Sequence, residues 1–193
     1  MREFIYYSGK AHTSGAFHNL MEAGRLDIAC HTLIAAFFLS HGIRQNVQFH
    51  MIFMGPPDPP KHLFFRYHEN MPISKKDVAG LIKRMLFKYK KGQLREAFPG
   101  CFIEKKSFLQ LVEDLEAEGK QLYILDKKGR DIRGIESEKL KNAVFILGDH
   151  EGLPKHELRR IKKLEKISLG PEIYFASHAL VILQNELDRR GIS

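Results

Sequence analysis

Apolar runs along the chain alternate with longer amphipathic segments, a pattern typical of α/β proteins. Short apolar runs predict strands at residues 4–7, 121–125, 143–147 and 166–169, and an alternating run predicts another at 46–54. A further short strand is predicted at 62–67, at an edge of the sheet. Amphipathic segments predict helices at residues 25–41, 77–91, 107–118 and 173–190, and a short helix with Pro154 in its first turn.

The three strands of the C-terminal third are continuously apolar, and helices separate them along the chain. Such strands are buried on both faces, which favours a mostly parallel sheet flanked by helices. The strands run into Asp126, Gly148 and Gly170. Because ligands bind beyond the carboxyl ends of parallel strands, these positions predict one shared site.

The helix predicted at residues 25–41 is apolar on more than one face. Leu26, Ala29 and Leu33 lie on one side, while Ile28 and Ile34 lie on another. A helix that is apolar all round is buried on several sides. In a chain of 193 residues this pattern indicates an interface between subunits.

Composition narrows the class of protein. The apolar fraction of 44% is too high for a disordered chain, and two cysteines cannot supply a disulfide scaffold or a four-thiolate metal site. The densest apolar stretch, residues 28–39, is shorter than the roughly 20 residues that span a bilayer. We therefore expect one cytoplasmic domain over residues 1–193. The 31 Lys and Arg against 23 Asp and Glu give a net charge of +8, which is compatible with a polyanionic partner.

The most informative motif is LGDHEGLP, residues 147–154. Its two glycines directly follow an apolar strand, where they let the backbone pass close to a ligand. A plain strand-to-helix turn would have the same composition. The chain contains neither G-x-G-x-x-G nor G-x-x-x-x-G-K-[ST], so a nucleotide-like cofactor would be held differently from NAD or a nucleoside triphosphate. No metal-ligand spacing and no G-x-S-x-G nucleophile elbow occur, so we expect no metal site.

Basic residues occur in several clusters, and one of them stands out by its position. Lys127, Lys128, Arg130 and Arg133 directly follow the strand that ends at Leu125. Lysine and arginine beside a ligand site are suited to contacts with RNA phosphates. We therefore predict that these four side chains bind RNA.

Three segments together resemble the SPOUT superfamily of knotted methyltransferases: FILGDHEGLP at 145–154, ISLGP at 167–171, and the segment from Ser177-His178 to Asp188. Within this superfamily the chain is most similar to the archaeal tRNA pseudouridine-54 N1-methyltransferase family, and residues 4–8, 24–27 and 46–57 support the narrower match. The resemblance covers essentially the whole chain. It implies a SPOUT fold with a deep trefoil knot over about residues 120–193, S-adenosylmethionine bound in the knot, and a homodimer that acts on tRNA.

The resemblance also implies site residues. The positions that match the family's cofactor contacts are Leu125, Leu147, Gly148, Gly152, Ile167, Leu169 and Gly170. Methylation at N1 of pseudouridine requires loss of the N1 proton, so a base or a cation should assist. The candidates are Arg25 and Asp27, reaching from the partner subunit, and His178, Asp149 and Glu151 nearer the cofactor. Some related sequences carry a cysteine where this chain has Ala179.

Three other functions remain open from the sequence. The same scaffold could methylate ribosomal RNA or another uridine or pseudouridine of tRNA. It could also be a non-catalytic RNA-binding dimer that keeps the knot as a scaffold. A basic α/β enzyme that acts on a small metabolite is the third alternative.

Overall fold

A computed structural model describes residues 1–193. Eight strands and six α-helices follow one another along the chain: β1 (Arg2–Ser8), α1 (Leu26–Phe37), β2 (Val47–Phe53), β3 (Lys61–Arg66), α2 (Val78–Phe87), β4 (Arg95–Phe98), β5 (Cys101–Glu104), α3 (Phe108–Ala117), β6 (Gln121–Asp131), α4 (Ser137–Leu140), β7 (Ala143–Gly148), α5 (Lys155–Arg160), β8 (Glu165–Ser168) and α6 (Ala176–Arg189). None of these helices combines the length and the apolar character that crossing a bilayer requires.

All eight strands form one sheet in the order β4-β5-β3-β2-β1-β7-β6-β8. The five strands from β2 to β8 pair in parallel, while β3, β5 and β4 extend the sheet with antiparallel pairs. The α/β class and the parallel C-terminal strands are therefore confirmed, within a mixed sheet. The prediction that strand 62–67 lies at an edge is wrong, because the β4–β5 hairpin, which the pattern did not predict, pairs beyond it.

The central strand β1 is buried on both faces, which explains its unbroken apolar run. Phe4 and Tyr6 belong to the larger core cluster with residues of α1, α2 and α6. Ile5 and Tyr7 belong to a second cluster with residues of α3, where the Tyr7 ring meets the edge of Phe108 at a centroid distance of 5.4 Å. Helices thus cover the two faces of the parallel strands, as continuous apolar strands require.

Three predicted helix ends shift for identifiable reasons. Helix α1 begins at Leu26 because Arg25 adopts a left-handed conformation with φ 62°, and it ends before Phe38, which is extended. Helix α6 begins at Ala176, later than predicted, because residues 171–175 form a loop. The capping box at the start of α3 is confirmed, since Ser107 Oγ accepts from Gln110 N and the Gln110 side chain accepts from Ser107 N.

Strand β6 departs most from its prediction, since it continues past Asp126 to Asp131. Ile167 of β8 is paired with Leu125 and also with Arg130. The register of the pairing shifts between these two residues, and residues 126–129 cross β8 there. The crossing is tight, because a Cβ added to Gly129 would lie 2.5 Å from Ile167 N.

The two ends of the chain are fastened to each other. The buried Arg2 guanidinium donates to Ile192 O through Nε at 2.9 Å and Nη2 at 2.6 Å, and to Gln184 Oε1 at 3.2 Å. The N-terminal ammonium donates to Ser193 O at 2.6 Å. Hydrogen bonds from a charged group are about twice as strong as neutral ones, so β1 holds the end of the chain beyond α6 in place.

The crossing at Gly129 predicts a local stability effect. Gly129→Ala would press a methyl group against the backbone of Lys166 and Ile167, at a cost of about 1–3 kcal/mol in the free energy of unfolding. Gly134→Ala is the matched control, because its added Cβ would lie no closer than 3.9 Å to a neighbour. Urea unfolding of both variants measures the difference, and equal stability would show that the close approach is absent.

Candidate functional site

A cavity of about 360 Å³ opens at the carboxyl ends of β6 and β7. A second cavity of about 100 Å³ adjoins it and shares Leu125, Asp126 and Lys127 with the first. The seven predicted cofactor residues all line one or both of these cavities: Leu125, Leu147, Gly148 and Gly152 in the first, and Leu125, Ile167, Leu169 and Gly170 in the second. The two together are called the donor cavity below. The rule that ligand sites lie at the ends of parallel strands and the position of the cavities thus indicate the same part of the sheet.

The loop after β7 folds back on itself, and this requires glycine. Gly152 N donates to Asp149 O at 3.0 Å, and Gly152 has φ 74°. A Cβ on Gly148 would lie 2.5 Å from Gly152 C and 2.7 Å from Leu153 N. The two glycines therefore do more than make a strand-to-helix turn: they bring both legs of the loop into contact at the edge of the donor cavity.

The carboxylate of Asp149 is buried and held in a fixed orientation. Its Oδ2 accepts from Ser8 Oγ at 2.8 Å and from Gly9 N at 3.2 Å, while its Oδ1 accepts from Glu151 N at 2.9 Å. Asp149 as a whole is only 9% exposed, yet it lines the donor cavity. Strands β1 and β7 are neighbours in the sheet, and this brings Ser8 and Asp149 together.

Arg25 and Asp27 lie at the start of α1 and bind each other. Arg25 Nε and Nη2 donate to the two carboxylate oxygens of Asp27, each at 3.0 Å. The hydrogen bonds from Arg25 hold the pKa of Asp27 below its usual value. Neither residue lines the donor cavity of its own chain.

The hydroxyl of Tyr6 is fully buried and has no hydrogen-bond partner. Burial raises the pKa of Tyr6, and the nearby carboxylates of Asp149 and Asp27 raise it further. Tyr6 therefore stays neutral.

His178 does not lie with the predicted cofactor residues. Its ring meets the edge of Phe175 at a centroid distance of 5.6 Å on the exposed side of α6. It lines a wide, shallow depression between α1 and α6, together with Ile34, Phe38 and Val181. Within one chain, His178 faces this depression and not the donor cavity.

The four predicted RNA-binding residues divide into two pairs. Lys127 and Lys128 are exposed and line the donor cavity. Arg130 and Arg133 lie farther along β6 and beyond it; Arg130 Nη2 donates to Gly134 O, and Arg133 pairs with Asp131 at 2.6 Å. All four side chains are exposed, and Lys127 and Lys128 are the two that lie at the donor cavity.

The sequence reasoning missed three residues of the site. Ile173 and Tyr174 line both parts of the donor cavity, and Phe175 follows them. Ile173 is 83% exposed and Phe175 is 70% exposed, which is unusual for such large apolar side chains. These residues follow the Gly170-Pro171 bend, so the strand-end rule would have included them if the helix had not been predicted to begin at 173.

A comparison with protein families identifies the chain. The family model described as SAM-dependent RNA methyltransferase matches residues 1–192. The chain belongs to this family. It has an α/β fold whose strand ends form a donor cavity, and S-adenosylmethionine is the methyl donor of the family.

Named relatives cover nearly the full length. The tRNA (pseudouridine(54)-N(1))-methyltransferase of Methanococcoides burtonii is 36% identical over 98% of this chain and 96% of its own. The enzyme of the same name from Pyrococcus abyssi is 36% identical over the whole of both chains. Among solved structures, Archaeoglobus fulgidus Nep1 bound to S-adenosylhomocysteine superposes with a TM-score of 0.66 at 15% identity, covering 97% of each chain. This likeness supports the SPOUT-type fold.

The donor cavity fits S-adenosylmethionine in size and chemistry. Its volume lies within the range of about 300–1,000 Å³ that is typical of small-molecule sites. Leu125, Leu147 and Leu153 offer apolar surface for an adenine ring, and the carboxylate of Asp126 can accept from hydroxyl or ammonium groups. When bound, the cofactor supplies an electrophilic methyl group.

The contact between the two legs of the loop predicts an effect on cofactor affinity. Gly148→Ala would push Gly152 and Leu153 away and is expected to weaken S-adenosylmethionine binding by about tenfold or more. Gly9→Ala is the control in the neighbouring loop, where an added Cβ would meet only a Tyr7 ring carbon at 3.9 Å. Isothermal titration calorimetry measures both affinities. If Gly148→Ala binds S-adenosylmethionine as tightly as the wild-type protein, this loop is not part of the cofactor site.

Proposed function

We propose that this chain transfers the methyl group of S-adenosylmethionine to N1 of pseudouridine 54 in the T loop of tRNA. The observation that carries the proposal is the match, at 36% identity over nearly the full length, to relatives named for this reaction. The donor cavity at the ends of β6, β7 and β8 supplies a place for the cofactor. The predicted cofactor residues at these strand ends hold it mainly through backbone groups and apolar side chains.

The reaction requires positioning and removal of one proton. N1 of pseudouridine carries a hydrogen next to a carbonyl, so it becomes a good nucleophile only when that proton leaves. The base is part of a structured loop, and it has to turn out of its stack to reach the cofactor. The exposed Lys127 and Lys128 can bind the phosphates of the RNA at the cavity, and the exposed Arg130 and Arg133 can bind phosphates farther along the chain.

The active form is a homodimer built on the depression between α1 and α6. Support comes from the apolar side chains left exposed there, with Leu39 47% exposed and Val181 53% exposed. Arg25 and Asp27 at the start of α1, and His178 on α6, would then reach the donor cavity of the partner. In this arrangement the bound Arg25–Asp27 pair would stabilise negative charge on the ring with its guanidinium.

The C-terminal part, about residues 120–193, forms a deep trefoil knot. The proposal is supported by the pairing of Ile167 with both Leu125 and Arg130 and by the crossing of Gly129 over Lys166 and Ile167. True knots are very rare among protein folds. A crystal structure traced through residues 120–193 tests the proposal, and a segment 126–129 that stays on one side of β8 would contradict it.

Methyl transfer to defined transcripts tests the proposed function. A tRNA with pseudouridine at position 54 should be methylated at N1, and the same tRNA with uridine there should not, because uridine has no N–H at the acceptor position. Replacing Lys127 and Lys128 by Ala should weaken RNA binding and lower its salt dependence by about one unit of slope for each lost phosphate contact. Mass spectrometry of the product locates the methyl group.

The same assay distinguishes the other functions. Methyl transfer to ribosomal RNA but not to tRNA would show that the substrate is different. S-adenosylmethionine binding without transfer to any RNA would favour a scaffold or a metabolite enzyme. Either result would contradict the proposal.

The dimer predicts a defined effect of one surface charge. Val181→Glu would bury a carboxylate in the interface, and sedimentation velocity should show a monomer. Phe87→Glu is the control, because Phe87 is 62% exposed on α2, outside the depression. If the Val181→Glu protein remains a dimer, or if the wild-type protein is a monomer, the interface is not here.

A further inference from the structure

A third cavity, of about 180 Å³, adjoins the donor cavity. The two share Asp149, Ile173, Tyr174 and Ala176, and the third cavity is completed by Ile28, His150 and Phe175. Asp149 therefore lies on the boundary between the donor cavity and the third cavity. A methyl group at the boundary would be accessible from both sides.

The third cavity has the size of a single small ring. An apolar cavity of about 150 Å³ in another protein holds a benzene molecule, so 180 Å³ accommodates one six-membered heterocycle and not a fused purine. Ile28 and Ile173 provide apolar walls, and Phe175 provides an aromatic face at the rim. Such surfaces suit the faces of a pyrimidine base, which stack well on aromatic side chains.

The polar group in this wall selects a ring that carries an N–H. The carboxylate of Asp149 can only accept hydrogen bonds. Its Oδ2 already accepts from two donors, whereas Oδ1 accepts from Glu151 N alone and has one lone pair left. No lysine or arginine lies within ion-pair distance of Asp149. His150 Nδ1 lies 3.9 Å from Oδ1, which is beyond hydrogen-bond distance, so Oδ1 keeps its remaining lone pair.

Other carboxylates near the site are already engaged. Both oxygens of Asp27 are bound by Arg25, and Asp126 pairs with Lys166 at 2.6 Å. Glu151 is exposed and forms an ion pair with Lys10. Asp149 alone combines burial, a fixed orientation, a free lone pair and a position on the boundary of both cavities.

We propose that the third cavity receives the pyrimidine ring turned out of the RNA, and that Asp149 Oδ1 accepts the N1 proton during methyl transfer. This inference rests on the proposed function. The N1–H bond breaks and its proton moves to the carboxylate. The electron pair left on N1 forms the new bond to the methyl carbon, and the pair of the broken carbon–sulfur bond stays on sulfur. The proton leaves Asp149 for solvent after the product departs.

Single-turnover methyl transfer with Asp149→Asn tests the proton step, using S-adenosylmethionine at saturation and a tRNA transcript with pseudouridine 54. We expect the rate to fall by about 10²- to 10⁴-fold, the usual contribution of a general base. The remaining rate should rise with pH, because N1 then loses its proton to hydroxide, while cofactor affinity stays within about threefold. A purely structural role would not produce this pH dependence. Asp114→Asn is the control, since Asp114 lies on α3, against the other face of the sheet.

Phe175→Ala tests the ring site separately. Phe175 is 70% exposed, so its removal should leave the fold intact. Loss of one stacked base should raise KM for the RNA by about 5- to 100-fold and change kcat little. An unchanged KM for the RNA would contradict the placement of the pyrimidine ring in this cavity.

The outcomes separate this inference from the function beneath it. If the wild-type protein does not methylate the pseudouridine transcript, the proposed function fails and the inference falls with it. If the wild-type protein is active and Asp149→Asn reacts at the same rate, only the inference is overturned. Should Asp149→Asn lose cofactor binding or fold, Asp149→Glu keeps the charge and shifts it by one methylene. With cofactor bound, Asp149→Glu should then recover part of the rate and of the wild-type pH profile, and a variant that recovers neither would contradict the proton step.

Discussion

The arrangement of the site depends on one close approach between backbone segments, the crossing of residues 126–129 over β8. Gly129 permits it, because any side chain there would meet the backbone of Lys166 and Ile167. The crossing holds the end of the first part of β6 beside the end of β8, and so places Leu125 next to Ile167 and Leu169. It also turns Lys127 and Lys128 outward to the cavity mouth. Without this approach the donor cavity would lose a wall.

The donor cavity and the third cavity differ in the groups that line them. The strand ends contribute mainly glycines and leucines around the donor, which suits a ligand that brings its own reactive group. The third cavity has a buried carboxylate fixed by Ser8, Gly9 and Glu151. Because these donors come from two neighbouring strand ends, β1 and β7, the carboxylate is oriented before any substrate arrives. Such preorganisation reduces the reorganisation needed during the reaction.

Much of the fold and of the donor cavity could be predicted from sequence. Continuous apolar runs identify buried strands, and the strand-end rule then places Gly148 and Gly170 at the same edge. The β4–β5 hairpin could not be predicted, because its strands have four residues each and the apolar run of β5 covers only residues 101–103. The continuation of β6 to Asp131 was also missed, since a polar segment such as Lys127 to Asp131 carries no strand signal of its own. It is held extended by pairing with β8, a contact distant in sequence. The same applies to Asp149 and Ser8, which are 141 residues apart.

The contact between the two ends of the chain has a topological consequence. The topology of an open chain can change whenever one of its ends passes through a loop formed by the rest of the chain. Here the N-terminal ammonium donates to Ser193 O at 2.6 Å, so a short peptide linker could join the ends without moving β1 or α6. The chain would then be a closed ring, and its topology would stay the same even when denaturant unfolds it. Comparing the refolding of the ring with that of the open chain would show whether folding requires the movement of a free chain end.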